Sequence, residues 1–367
     1  MQRVLSIVPY AYLPWFSGGQ KLIGLFNEHL ARHCTLQVAG TGYNDGSRAI
    51  GYTLHPVIRS GKIRYADITA FWRLKRLLRQ YQADTLLLEH PFLGWLGVWL
   101  QHRTGIRLLV HTHNVEYQRF RSIGKWWWPL LKRYEGWVLR RARYVLCISE
   151  EDRQQIIQTL GVKAEQCVLV PYGVMQVAPP ADKAATKAAV CEQYGLDTDK
   201  PLLFFNGLLD YAPNTQALQI ILEQLVPRLQ QQMPAYQVLV AGRRLPERFQ
   251  NLFPWNSKHV FYAGFVDDID AVTRAADVLL NPVLTGGGVK TKLLEAIANN
   301  TTVVATESGA TGANRSVCGE KLYVVPDGDW DAFVTAVKKA CATTATTPAA
   351  FYDTYSWPHI AAKVAAL

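Results

Sequence analysis

The run Asn281-Pro-Val-Leu-Thr-Gly-Gly-Gly-Val-Lys-Thr-Lys-Leu-Leu-Glu-Ala-Ile-Ala298 carries the densest chemistry in the chain. It closes an apolar strand and opens a helix. Gly286, Gly287 and Gly288 let the backbone approach a bound group closely. The first N–H groups of the helix have no internal partner, and the helix dipole adds partial positive charge there. Lys290 and Lys292 add full charges, and Glu295 follows about one turn further on, where a carboxylate can accept hydrogen bonds from a ribose diol. A diphosphate suits these donors, and a nucleotide suits the whole set. The alternative is an ordinary helix start with two solvated lysines.

Three other clusters invite a chemical reading. His111 and His113 have the spacing of strand ligands, but no neighbouring cysteine or carboxylate cluster completes a zinc site, so no metal is expected. Asp267-Asp-Ile-Asp270 imitates a metal-binding acid pair, yet it lies just before a helix, where aspartates cap free N–H groups. Gly40-Thr-Gly-Tyr-Asn-Asp-Gly46 follows a strand but misses the dinucleotide spacing, and reads as a loop.

These residues need a scaffold, and 367 residues are enough for two domains with separate cores. Short β-rich runs alternate with helical patterns, the signature of parallel sheets with crossover helices. A first block holds strands from Val4–Val8 to Val168–Val170, and a second those from Leu202–Phe205 to Leu322–Val325. Between them lies a polar, alanine-rich stretch with Pro179-Pro180 near its start, the candidate linker. The expected division is 1–174, a linker at 175–200, 201–350, and a terminal helix at 351–367. The fold class is α/β, two Rossmann-like domains facing a cleft, since open α/β sheets bind ligands beyond the carboxyl ends of their strands.

The six cysteines are scattered without paired spacing, and free thiols are expected. No apolar run reaches the length of a membrane span, and the first residues lead into a strand without a secretory pattern; a cytoplasmic protein is expected. The net charge of +10 favours an anionic partner. From Arg119 to Arg143 there are eight Lys or Arg against the single acid Glu135, together with Trp126, Trp127, Trp128 and Trp137. Trp127, Leu130, Leu131, Tyr134, Trp137 and Val138 fall on one helical face, expected to be buried. Trp126 and Trp128 lie off that face beside Lys125, where they could meet an anionic bilayer. No nucleic-acid module is recognisable, so nucleic acid is not expected as a partner.

Taken in order, these residues resemble the GT-B glycosyltransferases, and among them the retaining group called family 4. The resemblance covers nearly the whole chain. Ser17-Gly18-Gly19 looks like the family's glycine loop, and Val110-His-Thr-His113-Asn114-Val-Glu116 like the segment that places an active-site histidine. Val170-Pro-Tyr-Gly-Val174 matches the run before the linker. Asn206-Gly207 and Val240-Ala-Gly242 resemble the first two strand ends of the second domain, Phe261 to Val266 the turn that meets the base, and Ser356-Trp357 the terminal element that crosses back to the first domain.

The resemblance implies transfer of a sugar from a nucleoside-diphosphate sugar to an acceptor hydroxyl, a sugar or glycolipid among the candidates. It further implies retained anomeric configuration and no metal or other cofactor. His113, Lys290 and Glu295 would be catalytic. Gly18, Gly19, Asn206, Gly207, Phe265, Val266, Gly287, Gly288, Val289 and Lys292 would bind the donor. Asn114 and Glu116 would lie on the acceptor side. The protein would sit in the cytoplasm or on the inner face of the membrane, attached through Arg119 to Arg143.

Two departures stand out. Of the two glutamates the family commonly carries in the donor loop, only Glu295 is kept, and the loop after Asn206-Gly207 lacks the family's arginine and lysine. A non-catalytic homologue acting as a binding partner and a GT-B sugar-nucleotide epimerase are the alternatives.

Overall fold

A computed structural model describes residues 2–286 and 288–367; Gly287, read above as part of the donor loop, lies outside the described residues. The chain divides into two compact units, residues 1–173 with 355–367, and residues 174–354.

Among the described residues of the first unit, seven strands form one sheet: β1 (Arg3–Ile7), β2 (Thr35–Thr41), β3 (Thr53–Ile58), β4 (Thr85–Glu89), β5 (Arg107–Thr112), β6 (Tyr144–Cys147) and β7 (Cys167–Leu169). Every pairing is parallel, and the order is β3-β2-β1-β4-β5-β6-β7. Parallel strands are covered on both faces, which is why β4, Thr-Leu-Leu-Leu-Glu, is buried along its whole length. The covering helices are α1 (Gly18–Leu30), α2 (Ala70–Gln80), α3 (Gly94–Thr104), α4 (Glu116–Ser122), α5 (Trp128–Leu139) and α6 (Glu150–Leu160). Local chemistry sets their ends: Ser149 accepts from the Asp152 N–H at the start of α6, and Gly161 turns left-handed at its end. Helices α3 and α5 meet at Gly94, where a Cβ would lie 2.3 Å from Val138.

The direction in which successive strands are added reverses between β1 and β4, so their carboxyl ends flank a crevice. The second unit repeats the plan. Strands β8 (Leu202–Asn206), β9 (Gln237–Ala241), β10 (Val260–Gly264), β11 (Val278–Asn281), β12 (Thr302–Thr306) and β13 (Leu322–Val325) run parallel in the order β10-β9-β8-β11-β12-β13. Here the reversal lies between β8 and β11. Its helices are α7 (Lys183–Tyr194), α8 (Ala212–Ile220), α9 (Val226–Gln232), α10 (Ile269–Ala275), α11 (Thr291–Ala298), α12 (Arg315–Cys318), α13 (Trp330–Ala342) and, at the edge of the unit, α14 (Ala349–Tyr355). A π turn over Ile221–Leu225 joins α8 to α9.

The stretch 175–200 contains a packed helix. The ammonium of Lys183 in α7 donates to the carbonyls of Arg274 and Ala276 at 2.7 and 2.6 Å, tying α7 to the end of α10. Asp268 caps α10 by accepting from the Ala271 N–H at 2.9 Å, the capping role expected for that acidic run.

Helix α5 corrects one expectation. Leu130 is 60% exposed, whereas Trp128 packs against the core with Leu131, Tyr134 and Trp137. The helix begins at Trp128 with Pro129 in its first turn, and Glu135, Gly136, Val138 and Leu139 are its buried residues. The inward face is centred one position away from the stripe counted from Trp127.

The terminal helix α15 (Trp357–Ala365) belongs to the first unit, as expected. Trp357 is fully buried, with the rings of Phe26, His29 and Tyr172 around it. Gly173 lies directly against this indole: a Cβ there would stand 2.2 Å from Trp357 Cδ2. Gly173→Ala should therefore cost about 1–3 kcal/mol of stability through overpacking, measured as a lower urea midpoint. Gly18→Ala, where an added Cβ meets nothing within 4 Å, should leave the midpoint unchanged.

Candidate functional site

At the switch point of the first unit, the ends of β4 and β5 bring histidines and carboxylates together. Parallel register sets Glu89 of β4 beside His111 of β5, and His113 follows two residues on, at the same side of the strand end. The Glu89 carboxylate accepts from His111 Nδ1 at 3.0 Å and from His113 Nε2 at 2.6 Å through a single oxygen, Oε2. His113 is 6% exposed, and Glu89 and His111 are each 1% exposed. Glu89 Oε1, His111 Nε2 and His113 Nδ1 have no hydrogen-bond partner among the described residues.

His90 adds a second layer. Its ring lies 4.0 Å from that of His113, its Nδ1 is 3.0 Å from Glu116 Oε1, and its Nε2 is 2.6 Å from the Tyr10 hydroxyl. Arg119 donates to the other Glu116 oxygen at 2.8 Å. His90 has φ 70°, a left-handed conformation uncommon outside glycine. Glu116 opens α4, and the start of that helix is held from below by the buried carboxylate of Glu135, which accepts from the N–H groups of Glu116 and Tyr117 at 2.9 and 3.0 Å.

Burial acts on His113 and on the three carboxylates. It pushes His113 down to about 3, reinforced by His90 and partly offset by Glu89. For Glu89 burial works upward, but His111 and His113 outweigh it and hold the carboxylate well below its usual range. For Glu116 burial is likewise outweighed, by His90 and Arg119. Among the described residues no cation pairs with Glu135, so burial prevails over its two backbone donors and raises it to about 7.

The second unit builds a cationic site at its own switch point. Lys292 Nζ donates to the Asn206 carbonyl and to Asn214 Oδ1, both at 3.2 Å, and lies 4.6 Å from the centre of the Phe205 ring. Burial, then repulsion from Lys290, lowers Lys292 to about 7. Lys290 donates to the Gly286 carbonyl, and burial lowers its pKa too. Lys290 precedes α11, and no described side chain caps that helix; the Thr291 and Leu293 N–H groups donate instead to the Val289 and Lys290 carbonyls. The backbone closes in tightly beside it. Gly207 and Gly242 have φ of 155° and 147°, and a Cβ on Gly242 would stand 1.9 Å from the Gly207 carbonyl oxygen. Phe265 is 55% exposed with the Arg243 guanidinium 3.7 Å above its ring.

The residues expected from the sequence thus fall in two sets. His113, Asn114 and Glu116 gather at the end of β5, with Glu116 and His113 buried and Asn114 half-buried; Gly18 and Gly19 open α1. Asn206 ends β8, and Gly207, Phe265, Val266, Gly288, Val289, Lys290, Lys292 and Glu295 lie beyond the strands of the second sheet or on α11. The carboxylate that the histidine pair lacks in sequence is supplied by Glu89, 22 residues before His111. Glu89, His90, Tyr10, Glu135 and Arg243 are not among the residues the sequence singles out. The one available signal is Leu86-Leu-Leu-Glu-His90, a charged pair ending an apolar strand.

Comparison with known proteins follows the same division. Residues 16–175 match the model for Glycosyltransferase Family 4, and residues 200–343 that for Glycosyl transferases group 1. An uncharacterized 44.6 kDa protein of the cps region of Klebsiella pneumoniae is 26% identical over 131 residues, 34% of this chain and 34% of that protein, so the match spans about a third of the relative. Sucrose-phosphate synthase from Thermosynechococcus elongatus superposes with a TM-score of 0.67 at 18% identity, covering 99% of this chain and 97% of that one. HepE of Anabaena in complex with UDP superposes with a TM-score of 0.66 at 14% identity, covering 100% and 95%. Identities this low speak for the fold.

Glu135 offers a direct test of the first site's electrostatics. Its carboxyl is near 7 when folded and about 4.3 when unfolded, so the native state holds the extra proton between those values. A raised pKa means that its contribution to stability is complete below about 4.3 and is lost as pH rises through about 7. Glu135→Gln keeps the shape without the ionisation. The stability of the wild type relative to this variant should fall by about 1–3 kcal/mol from pH ~4 to ~7 in urea titrations. A difference that stays flat across the window would show that the carboxyl titrates normally.

Proposed function

Since the chain belongs to the GT-B glycosyltransferases, with its two halves matching the family 4 and group 1 models, we propose that it transfers a sugar from a nucleoside-diphosphate sugar to an acceptor hydroxyl. The observation that carries this reading is the placing of two lysines, Lys290 and Lys292, at the start of α11, with Lys292 reaching the glycine-lined end of β8. Breaking a sugar–diphosphate bond develops negative charge on the leaving group, and preorganised donors that stabilise it are a major source of catalysis. On this reading the two lysines at the start of α11 meet the diphosphate, so the reaction needs no metal. Glu295 is assigned to the ribose, and Asn206, Gly207, Phe265, Val266, Gly288 and Val289 surround the donor. Arg243, stacked on Phe265, supplies a cation where the loop after Asn206-Gly207 has none. That HepE was solved with UDP makes UDP the first nucleotide to try.

The first unit is assigned the acceptor. His113, held by Glu89, orients a hydroxyl of the reacting sugar, and Asn114 lies beside it; Glu116, tied to His90 and Arg119, steadies the site. Gly18 and Gly19 open α1 with no side chains to obstruct a ligand. Retention of anomeric configuration follows if the leaving phosphate takes the proton of the incoming hydroxyl on the same face of the sugar.

The acceptor is assigned to a membrane surface, as a glycolipid or another lipid-borne sugar, with the protein peripheral on the cytoplasmic face. Trp126 is 82% exposed and Leu130 60%, beside Arg121, Lys125, Lys132 and Arg133, and Trp72 on α2 adds a third apolar side chain, 58% exposed. Indoles and cations both gain at an anionic interface. No described helix is long and apolar enough to cross a membrane.

Two outcomes are expected. UDP or another nucleoside diphosphate should raise the melting temperature without added metal, and Lys292→Ala should weaken its binding by about 10–100-fold, the value of a hydrogen bond to a charged group. With Lys292 near 7 in the free protein and an anion favouring its charged form, affinity should also fall as pH rises above about 7, with proton uptake on binding. Calorimetry in buffers of different ionisation enthalpy reads that uptake. If no nucleotide shifts the wild type, the non-catalytic alternative takes the lead. Separately, vesicles with anionic lipid should capture the protein at low salt, and Trp126→Ala with Lys125→Ala should release it; no capture at low salt would remove the membrane from the reading.

A further inference from the structure

We propose that Glu89, His111 and His113 form a binding site for a transition-metal ion of the zinc class. Three independent features place these side chains together. The β4–β5 ladder fixes Glu89 beside His111, the strand alternation puts His113 on the same side, and the fold buries all three. One oxygen, Glu89 Oε2, is already 3.0 Å from His111 Nδ1 and 2.6 Å from His113 Nε2, and one ligand atom from each residue lies within 4.8 Å of the others. Zinc binds imidazole nitrogen at about 2.0–2.1 Å and carboxylate oxygen at about 2.0–2.2 Å, so its ligand atoms stand roughly 3.4 Å apart around a tetrahedral centre. Glu89 Oε2 needs to part from each nitrogen by less than an ångström, and the two nitrogens, within 4.8 Å of each other, need to settle to the same spacing.

The donor set selects the ion. Two imidazoles and one carboxylate suit first-row ions such as Zn²⁺, Fe²⁺, Co²⁺ or Ni²⁺, whereas Mg²⁺ and Ca²⁺ prefer sites built from oxygen alone. The surroundings are those of a rigid site: the His111 ring packs 4.8 Å from Phe26, and the His113 ring 4.0 Å from His90, itself pinned by Glu116 and Tyr10. His113 is the most accessible of the three, at 6%, so the open coordination position and the entry route lie on its side. The imidazole protons relocate to the opposite ring nitrogens, His111 Nε2 and His113 Nδ1, and Glu89 exchanges two hydrogen bonds for one metal bond.

Such an ion is not part of the transfer chemistry assigned above. It competes with it: a metal on His113 Nε2 sends the ring proton to Nδ1, turning the nitrogen that faces away from Glu89 from an acceptor of a sugar hydroxyl into a donor, making the site one through which zinc would switch the protein off. That consequence rests on the proposed function, but the binding itself does not.

The test is therefore a binding measurement on the full chain with Zn²⁺ alone. Equilibrium dialysis of the metal-stripped wild type should give one ion per chain at micromolar affinity or tighter. Glu89→Gln and His111→Ala, each verified as folded by circular dichroism, should weaken it by about 100-fold or more. Zinc X-ray absorption on the loaded wild type should show two imidazoles with the remaining ligands oxygen, a readout that does not depend on the variants folding. No stoichiometric binding overturns the proposal. So does binding that both variants retain, or a spectrum with sulfur or fewer than two imidazoles.

Discussion

A carboxylate with almost no contact with water, Glu89, is the constraint around which the first unit's site is arranged. A buried carboxylate is costly unless donors surround it, and here two imidazoles donate to the same oxygen. That sharing fixes the orientation of both rings and so decides which nitrogen of His113 faces away from the carboxylate. His90 then packs at a tilt against His113 and passes the constraint to Glu116, and Glu135 anchors Glu116 through the first N–H groups of α4. Three carboxylates, each 1% exposed or less, therefore hold three histidines through one connected set of contacts. In such a set a loss at one member leaves its neighbours with unpaired buried atoms, which is more expensive than the bond itself.

The second unit solves the opposite problem. Its site must receive negative charge, so it stores positive charge with few compensating anions. Lys292 is half-buried and tied to a carbonyl and an amide oxygen, neutral acceptors that orient the ammonium without cancelling it. Burial and Lys290 make the charged form less stable in the empty site, and an arriving diphosphate would relieve that strain. The crowded glycines have a matching geometric role. Gly242 can pass the Gly207 carbonyl only because it has no Cβ, and this close passage brings the ends of β8 and β9 together beside the lysines.

Much of this was legible in the sequence because parallel strands buried on both faces read as short apolar runs, and the positions of β1 to β13 follow those runs closely. The glycine-lysine loop was legible for a different reason: its residue types have few other uses at a strand-to-helix turn. What escaped did so on physical grounds. Helix α3, Gly-Trp-Leu-Gly-Val-Trp-Leu, is apolar on several faces and has no clear stripe. Helix α7 lies in an alanine-rich stretch just after Pro179-Pro180, where the pattern suggests only a linker. Glu89 and His90 escaped because their significance is lateral: a ladder partner 22 residues away cannot be counted from spacing. The phase of α5 slipped because Trp127 stands before the helix rather than within it.

The distribution of acids also changes what the net charge means. Between residues 59 and 143 the acids are Asp67, Asp84, Glu89, Glu116 and Glu135, against long runs of Lys and Arg. Four of these five are buried: Asp67 beneath Arg73 and Arg59, and the other three in the histidine network and under α4. Only Asp84 of these acids remains at the surface, so the outside of this region is more basic than its composition states. The same burial that organises the chemistry beneath therefore leaves the surface strongly cationic. Between residues 59 and 143 the first unit thus joins two properties in one segment: buried carboxylates that order the site, and exposed arginines, lysines and indoles above them.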